Sequence, residues 1–407
     1  MNKKTYVILG TAAALMIAAG YAYKSGHVGD KTTSAETVVT ESAKENPQNT
    51  EDAAKTNNGQ TAATESDIPT TIVKSLAKNQ RKDGFIDYAF NFYTGEKEDI
   101  DNIIRQAEIG IVYVDYLEKH PEDIQIKKAL QTLLTALGNK IKPGKYGPQL
   151  SFYATEENDT DEEKERKFRG EISATALMTA AMSRYRKLYS ELDFATTESY
   201  VINTLMSIAD FLITSNRLTD IIHQYPPYEV WYALAVYKTA VAKNRRFENT
   251  MTKLDRFYVS MESFINDPDS LFYFFKTYDL RKNEVSTYVK GAVLRNVKNF
   301  GKMYVNSFNP AELNCQNAAL LGEAAEILNG LDKNAKLKAY FIEQKEKLLE
   351  HDRKLMITED MSVSGIGSGH GLKESPAKKF AGFFISGYGN PITTIKNSIS
   401  CYNAFSE

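Results

Sequence analysis

Glu229 stands directly behind Tyr225-Pro226-Pro227-Tyr228. Two consecutive prolines fix φ and stiffen such a loop, so it would hold aromatic faces, on which sugars stack, beside a carboxyl group. Glu171, which follows Arg169-Gly170, offers a second carboxyl. Two carboxyls across a groove can hydrolyse a glycosidic bond, one protonating the leaving oxygen while the other activates water or attacks the sugar carbon. On this reading Glu229 and Glu171 are the catalytic pair, and His223, Tyr225 and Tyr228 contact substrate. The plainer reading is that acids at helix starts serve capping and the macrodipole. That explains Asp99, Asp101, Asp267 and Asp269, and it competes for Glu229 and Glu171. Trp231, the only tryptophan, reads as core.

Arg105 interrupts an otherwise apolar helical stretch, Ile103-Ile104-Arg105-Gln106-Ala107. An arginine in that position needs a partner: an internal acid such as Glu108 or Glu171, or the carboxylate or phosphate of a ligand. Lys396, near the start of the last helix, is a second candidate cation. The stretch Ser364-Gly365-Ile366-Gly367-Ser368-Gly369-His370-Gly371 is as rich in glycine as a phosphate loop, but it lacks the Gly-Lys-Ser/Thr ending and a preceding strand. With Phe380–Gly389, which follows it, it reads as a mobile loop and short hairpin. His370 or Tyr388 there could serve as the proton-transfer base of a lyase or epimerase. The acidic run Glu156–Glu163 reads as a solvated loop, without the glycine and spacing of a calcium loop. No cofactor or metal is implied by any motif.

Helices in pairs must position these residues. Apolar positions recur at helical spacing in Asp99–Lys119, and a partner follows at Glu122–Leu137. Further pairs read at Gly170–Leu192 with Thr196–Ser215, Pro227–Lys243 with Asn249–Ile265, Pro268–Leu280 with Glu284–Tyr304, and Pro310–Leu328 with Lys333–Lys354. A last helix, Pro391–Phe405, is left to pair with the early segment Pro69–Asn79 across the termini. The first member of each pair is rich in small residues, as in Ala174-Thr175-Ala176 and Ala318-Ala319-Leu320-Leu321-Gly322, which lets helix axes approach closely. Several second members carry Lys and Glu on one side, as an outer layer does. The pattern predicts an all-α (α/α)6 toroid over residues 68–407, with an open α-solenoid as the alternative. In a closed toroid the six inner helix starts share one face, which gathers Arg105, Glu171, Glu229, Tyr388 and Lys396.

With these segments the chain resembles the six-hairpin (α/α) toroid proteins, a superfamily of glycoside hydrolases, unsaturated-uronate hydrolases, sugar epimerases and polysaccharide lyases. The segments that carry the resemblance are Asp101–Ala107, His223–Leu234 and the glycine-rich stretch before the last helix. The resemblance implies a carbohydrate-active protein, first a hydrolase acting on an anionic, uronate-containing envelope glycan. A uronate lyase or sugar epimerase is the second implication. A non-catalytic toroid that binds glycan or protein is the third.

Composition narrows the partners. The 407 residues carry 50 Lys+Arg against 52 Asp+Glu, and this near-neutral balance argues against a nucleic-acid surface. Lys3 and Lys4 precede an uncharged apolar stretch, Tyr6–Tyr23, so residues 1–23 read as a signal peptide or membrane anchor that places the rest outside the cytoplasm. Residues 24–67 have no aromatic residue and no leucine, with four lysines against eight acids, and read as a disordered tether. The two cysteines, Cys315 and Cys401, fall on neighbouring inner helices. If the helix starts are level, they differ in depth by roughly 9 Å, beyond the Cα reach of about 7 Å for a disulfide. They are therefore expected to be unpaired.

Overall fold

Twelve helices and six short strands form among the described residues. The computed structural model describes residues 68–91, 96–98, 102–152, 158–190, 193–214, 227–240, 245–260, 265–304, 311–331, 335–358, 380–388 and 390–406. All of them belong to one compact unit, Thr61–Glu407. The segments expected to be signal and tether lie outside the described residues, as do His223, Tyr225 and His370.

In chain order the helices are α1 (Ile68–Lys78), α2 (Ile103–Lys119), α3 (Ile124–Gly138), α4 (Asp161–Tyr189), α5 (Ala195–Thr214), α6 (Tyr228–Ala240), α7 (Arg245–Ser260), α8 (Pro268–Arg281), α9 (Thr287–Tyr304), α10 (Cys315–Leu331), α11 (Ala335–Arg353) and α12 (Ile395–Ser406). The mostly helical class follows the sequence reading, and α2 packs on α3, α4 on α5, α6 on α7 and α10 on α11 as expected, while α9 packs on α10 and α7. Successive first members pack on one another: α2 on α4, α4 on α6, α6 on α8, α8 on α10, α10 on α12, and α12 on α2. Helix α1 packs against α12, α2 and α3, so the two ends of the unit meet. Gly110 shows why small residues belong between inner helices, because a Cβ built there would lie 3.3 Å from the Ala181 Cβ.

The strands were not expected in full. β1 (Ala89–Asn91), β2 (Lys97–Glu98), β5 (Ile385–Gly387) and β6 (Asn390–Thr394) form an antiparallel sheet in the order β2-β1-β6-β5, and β3 (Ile141–Gly144) pairs with β4 (Gly147–Leu150). A short hairpin was read from the sequence within Phe380–Gly389, which covers β5; β6 and its pairing with β1 were not read. Phe90 lies opposite Thr393, so strands from the two ends of the unit precede α2 and α12 side by side. Residues 391–394 are strand where helix was expected, because Ile392, Thr393 and Thr394 are β-branched and complete the ladder.

Two further expectations are corrected. Helix α4 begins at Asp161 rather than Gly170, because Thr160 caps it and Glu163 returns to the Thr160 backbone in a capping box. Asp161–Glu163 is thus a helical first turn and no loop. Cys315 and Cys401 are bridged, with Cα atoms 4.7 Å apart, against the expectation that they are unpaired. The premise of level starts fails. Cys315 is the first residue of α10 and Cys401 the seventh of α12, so the helices are staggered along their axes.

Candidate functional site

Arg105 lies one turn into α2, whose N-cap is Asn102. Glu108, one turn further along the same face, takes its Nη1 at 2.6 Å, and Asp269 of α8 takes Nη2 at 2.6 Å. Asp269 also lies 3.5 Å from Lys396 Nζ of α12 and accepts from the Gln316 side chain of α10. The neighbouring Asp267 accepts from Ser270 N–H as the α8 cap, which leaves Asp269 to face the cluster. Glu108 further accepts from Tyr273 Oη at 3.2 Å. Four inner helices thus contribute to one charged knot, lining a cavity of about 30 Å³ with Phe272 and Asn403 on its wall.

The two carboxyls of the knot differ. Burial pushes the Glu108 pKa up, with Arg105 opposing and Asp269 reinforcing the rise. Asp269 is also desolvated, but Arg105 and Lys396 together hold it below the usual carboxylate range. Burial works against the Arg105 charge, and Glu108 and Asp269 outweigh it, so the guanidinium stays protonated. One acid shifted up by burial and one held down by two cations therefore share a single arginine. Environments that push two carboxyls apart in this way set acid and base roles.

Of the residues singled out in the sequence, Arg105 and Lys396 do converge, both on Asp269. Glu229 is buried in α6 and accepts from Ser173 Oγ at 3.1 Å. Burial raises its pKa, and the Arg169 charge partly offsets the rise. Glu171 accepts from Phe152 N–H at 2.9 Å and from Gln149 Nε2 at 3.4 Å, so it anchors the β3–β4 hairpin to α4. Ser173 is two residues along, about 200° round the helix, so Glu171 and Glu229 address different sides of α4. Tyr228 is buried against Tyr258 and Phe274, and burial raises its pKa. Trp231 is core, its Nε1 donating to Asp255 at 3.0 Å. Tyr388 is 39% exposed, its ring 5.4 Å from that of His351.

Sequence reasoning gave Glu108 only an ion-pairing role, assigned Asp269 to capping, and passed over Tyr273 and Gln316. A signal was present in two places. Glu108 is three residues from Arg105, which puts both on one face, and Asp267 already supplied the cap of α8. Comparison of the chain with family models, with curated proteins and with solved structures finds no match.

Proposed function

We propose that residues 68–407 form an (α/α)6 toroid acting as an exported carbohydrate-active hydrolase, with Glu108 and Asp269 at its reacting centre. The reading rests on one observation: two carboxyls with opposed pKa shifts lie on either side of one arginine, in a cavity built from the N-terminal halves of α2, α8 and α10 and from α12. The closed succession of inner-helix contacts, with α12 returning to α2, favours the toroid over an open solenoid. Glu108 would donate its proton to the leaving oxygen, and Asp269 would act as the carboxylate partner. Arg105 and Lys396 set two cations at this centre, which suits a uronate-containing glycan. The Cys315–Cys401 bridge fits a protein that matures outside the cytoplasm, as does the apolar stretch Tyr6–Tyr23.

A second reading is a non-catalytic glycan-binding toroid. It is favoured by the size of the cavity, about 30 Å³, which has room for roughly one or two waters. The full chain incubated with neutral and uronate-containing glycans separates the readings. New reducing ends support the hydrolase, and absorbance from unsaturated uronates moves the assignment to a lyase. Saturable binding with no product supports the binder.

A further inference from the structure

Helices α2, α4, α6 and α8 line a second cavity, of about 280 Å³. Phe272 and Tyr273 line both it and the Arg105 cavity, so these two side chains form the partition between them. The volume is near the lower end for sites that take small molecules, roughly 300–1,000 Å³.

The charges on its wall do not cancel locally. Asp115 and Glu118 of α2 both pair with Arg184 of α4, a trio with one negative charge in surplus. Burial acts against the Arg184 charge, and its two acids outweigh that, so the guanidinium remains protonated. Lys276 is neutralised by Glu323 and lies over the Phe272 ring, and Asp279 pairs outward with Lys282 at 2.9 Å. Lys187, exposed on the last turn of α4, has no acid within ion-pair distance among the described residues. The C-terminal ends of these helices add partial negative charge at the same rim, where Glu118 and Lys187 both stand in last turns. Ile111, Val236 and Leu280 add apolar side chains to the same wall.

We infer that this cavity binds a small zwitterion of amino-acid size, its ammonium group beside Asp115 and Glu118, its carboxylate at Lys187 and its apolar body along Val236. Lys187 lies one turn from Arg184 on α4, so the two surpluses are neighbours, as the ammonium and carboxylate on one carbon of such a molecule are. The inference is independent of the hydrolase reading, because no residue that carries charge to this ligand belongs to the Arg105 knot.

Isothermal titration of the full chain with individual L-amino acids tests it. For the tightest, the amine lacking the carboxylate and the N-acetyl derivative are titrated as well. At least one amino acid should bind saturably, and removal of either charge should weaken binding about tenfold or more. Lys187→Met should weaken the amino acid by a similar factor and leave the amine unchanged; the exposed site makes this variant safe for folding. Thr239→Trp, at the exposed lip, should block both. Failure of every L-amino acid to bind overturns the inference. So does an amine that binds as tightly as its parent, or a Lys187→Met variant with unaltered affinity.

Discussion

Asp269 is the residue on which the two predicted cations meet, and its environment explains why it keeps its charge. Replacing it with Asn leaves Arg105 with Glu108 alone and leaves Lys396 without its carboxylate. Because the group is partly exposed, the loss should be about 1–3 kcal/mol, below the full cost of breaking a buried pair, measured as a shift of the urea midpoint. The same substitution should lower the Glu108 pKa, since a neighbouring negative charge is removed. Arg105 was legible as a residue needing a partner, because an arginine among isoleucines cannot be left uncompensated. Which acid from another helix would reach it was not legible, since Asp269 is 164 residues away in the chain.

A second residue gives a pH dependence. Asp352 is buried at the end of α11 and accepts from Asn314 N–H at 3.1 Å and from His351 Nδ1 at 3.0 Å. Burial pushes its pKa up to about 6, against the opposing effect of those hydrogen bonds. The folded state therefore binds more protons than the unfolded state between about pH 4 and pH 6. Its contribution falls as pH rises through that window, by about 2–3 kcal/mol. Asp352→Asn keeps an acceptor for Asn314 and removes the titration. Its stability profile from urea unfolding should be flatter than the wild type's across that window, and superimposable profiles would show that Asp352 does not titrate there.

At the scale of elements, the helix pairs were readable because their apolar periodicity is long and their breaks carry proline or polar residues. The errors came from caps and ladders. Thr160-Asp161-Glu162-Glu163 is a capping box hidden in an acidic run, and β6 was absorbed into the helix that follows it. Axial stagger was not readable either, since periodicity gives rotation about a helix axis and says nothing about sliding along it. The small-residue reading of the inner helices makes its own prediction. Gly110→Leu would place a branched side chain where even a Cβ meets Ala181 at 3.3 Å. Overpacking of this kind costs about 1–3 kcal/mol, readable as a lower thermal midpoint, and an unchanged midpoint would mean that α2 and α4 have room to separate.

For the molecule as a whole, the disulfide joins α10 to α12 across a sequence separation of 86, which ties the last helix into the body of the unit. The double variant Cys315→Ser/Cys401→Ser should lose about 2–5 kcal/mol, and reductant should lower the unfolding midpoint of the wild type but not of the variant. The bridge also borders the proposed site, because Gln316 and Ser400, each next to a bridged cysteine, line the Arg105 cavity. The most direct measurement compares wild type and Glu108→Gln on a uronate-containing polysaccharide, following new reducing ends together with binding. A hydrolase centred on Glu108 predicts product from the wild type, loss of turnover by about 100-fold or more in the variant, and affinity kept within a few-fold. A variant as active as the wild type, or a wild type that binds the polysaccharide and releases nothing, would contradict it.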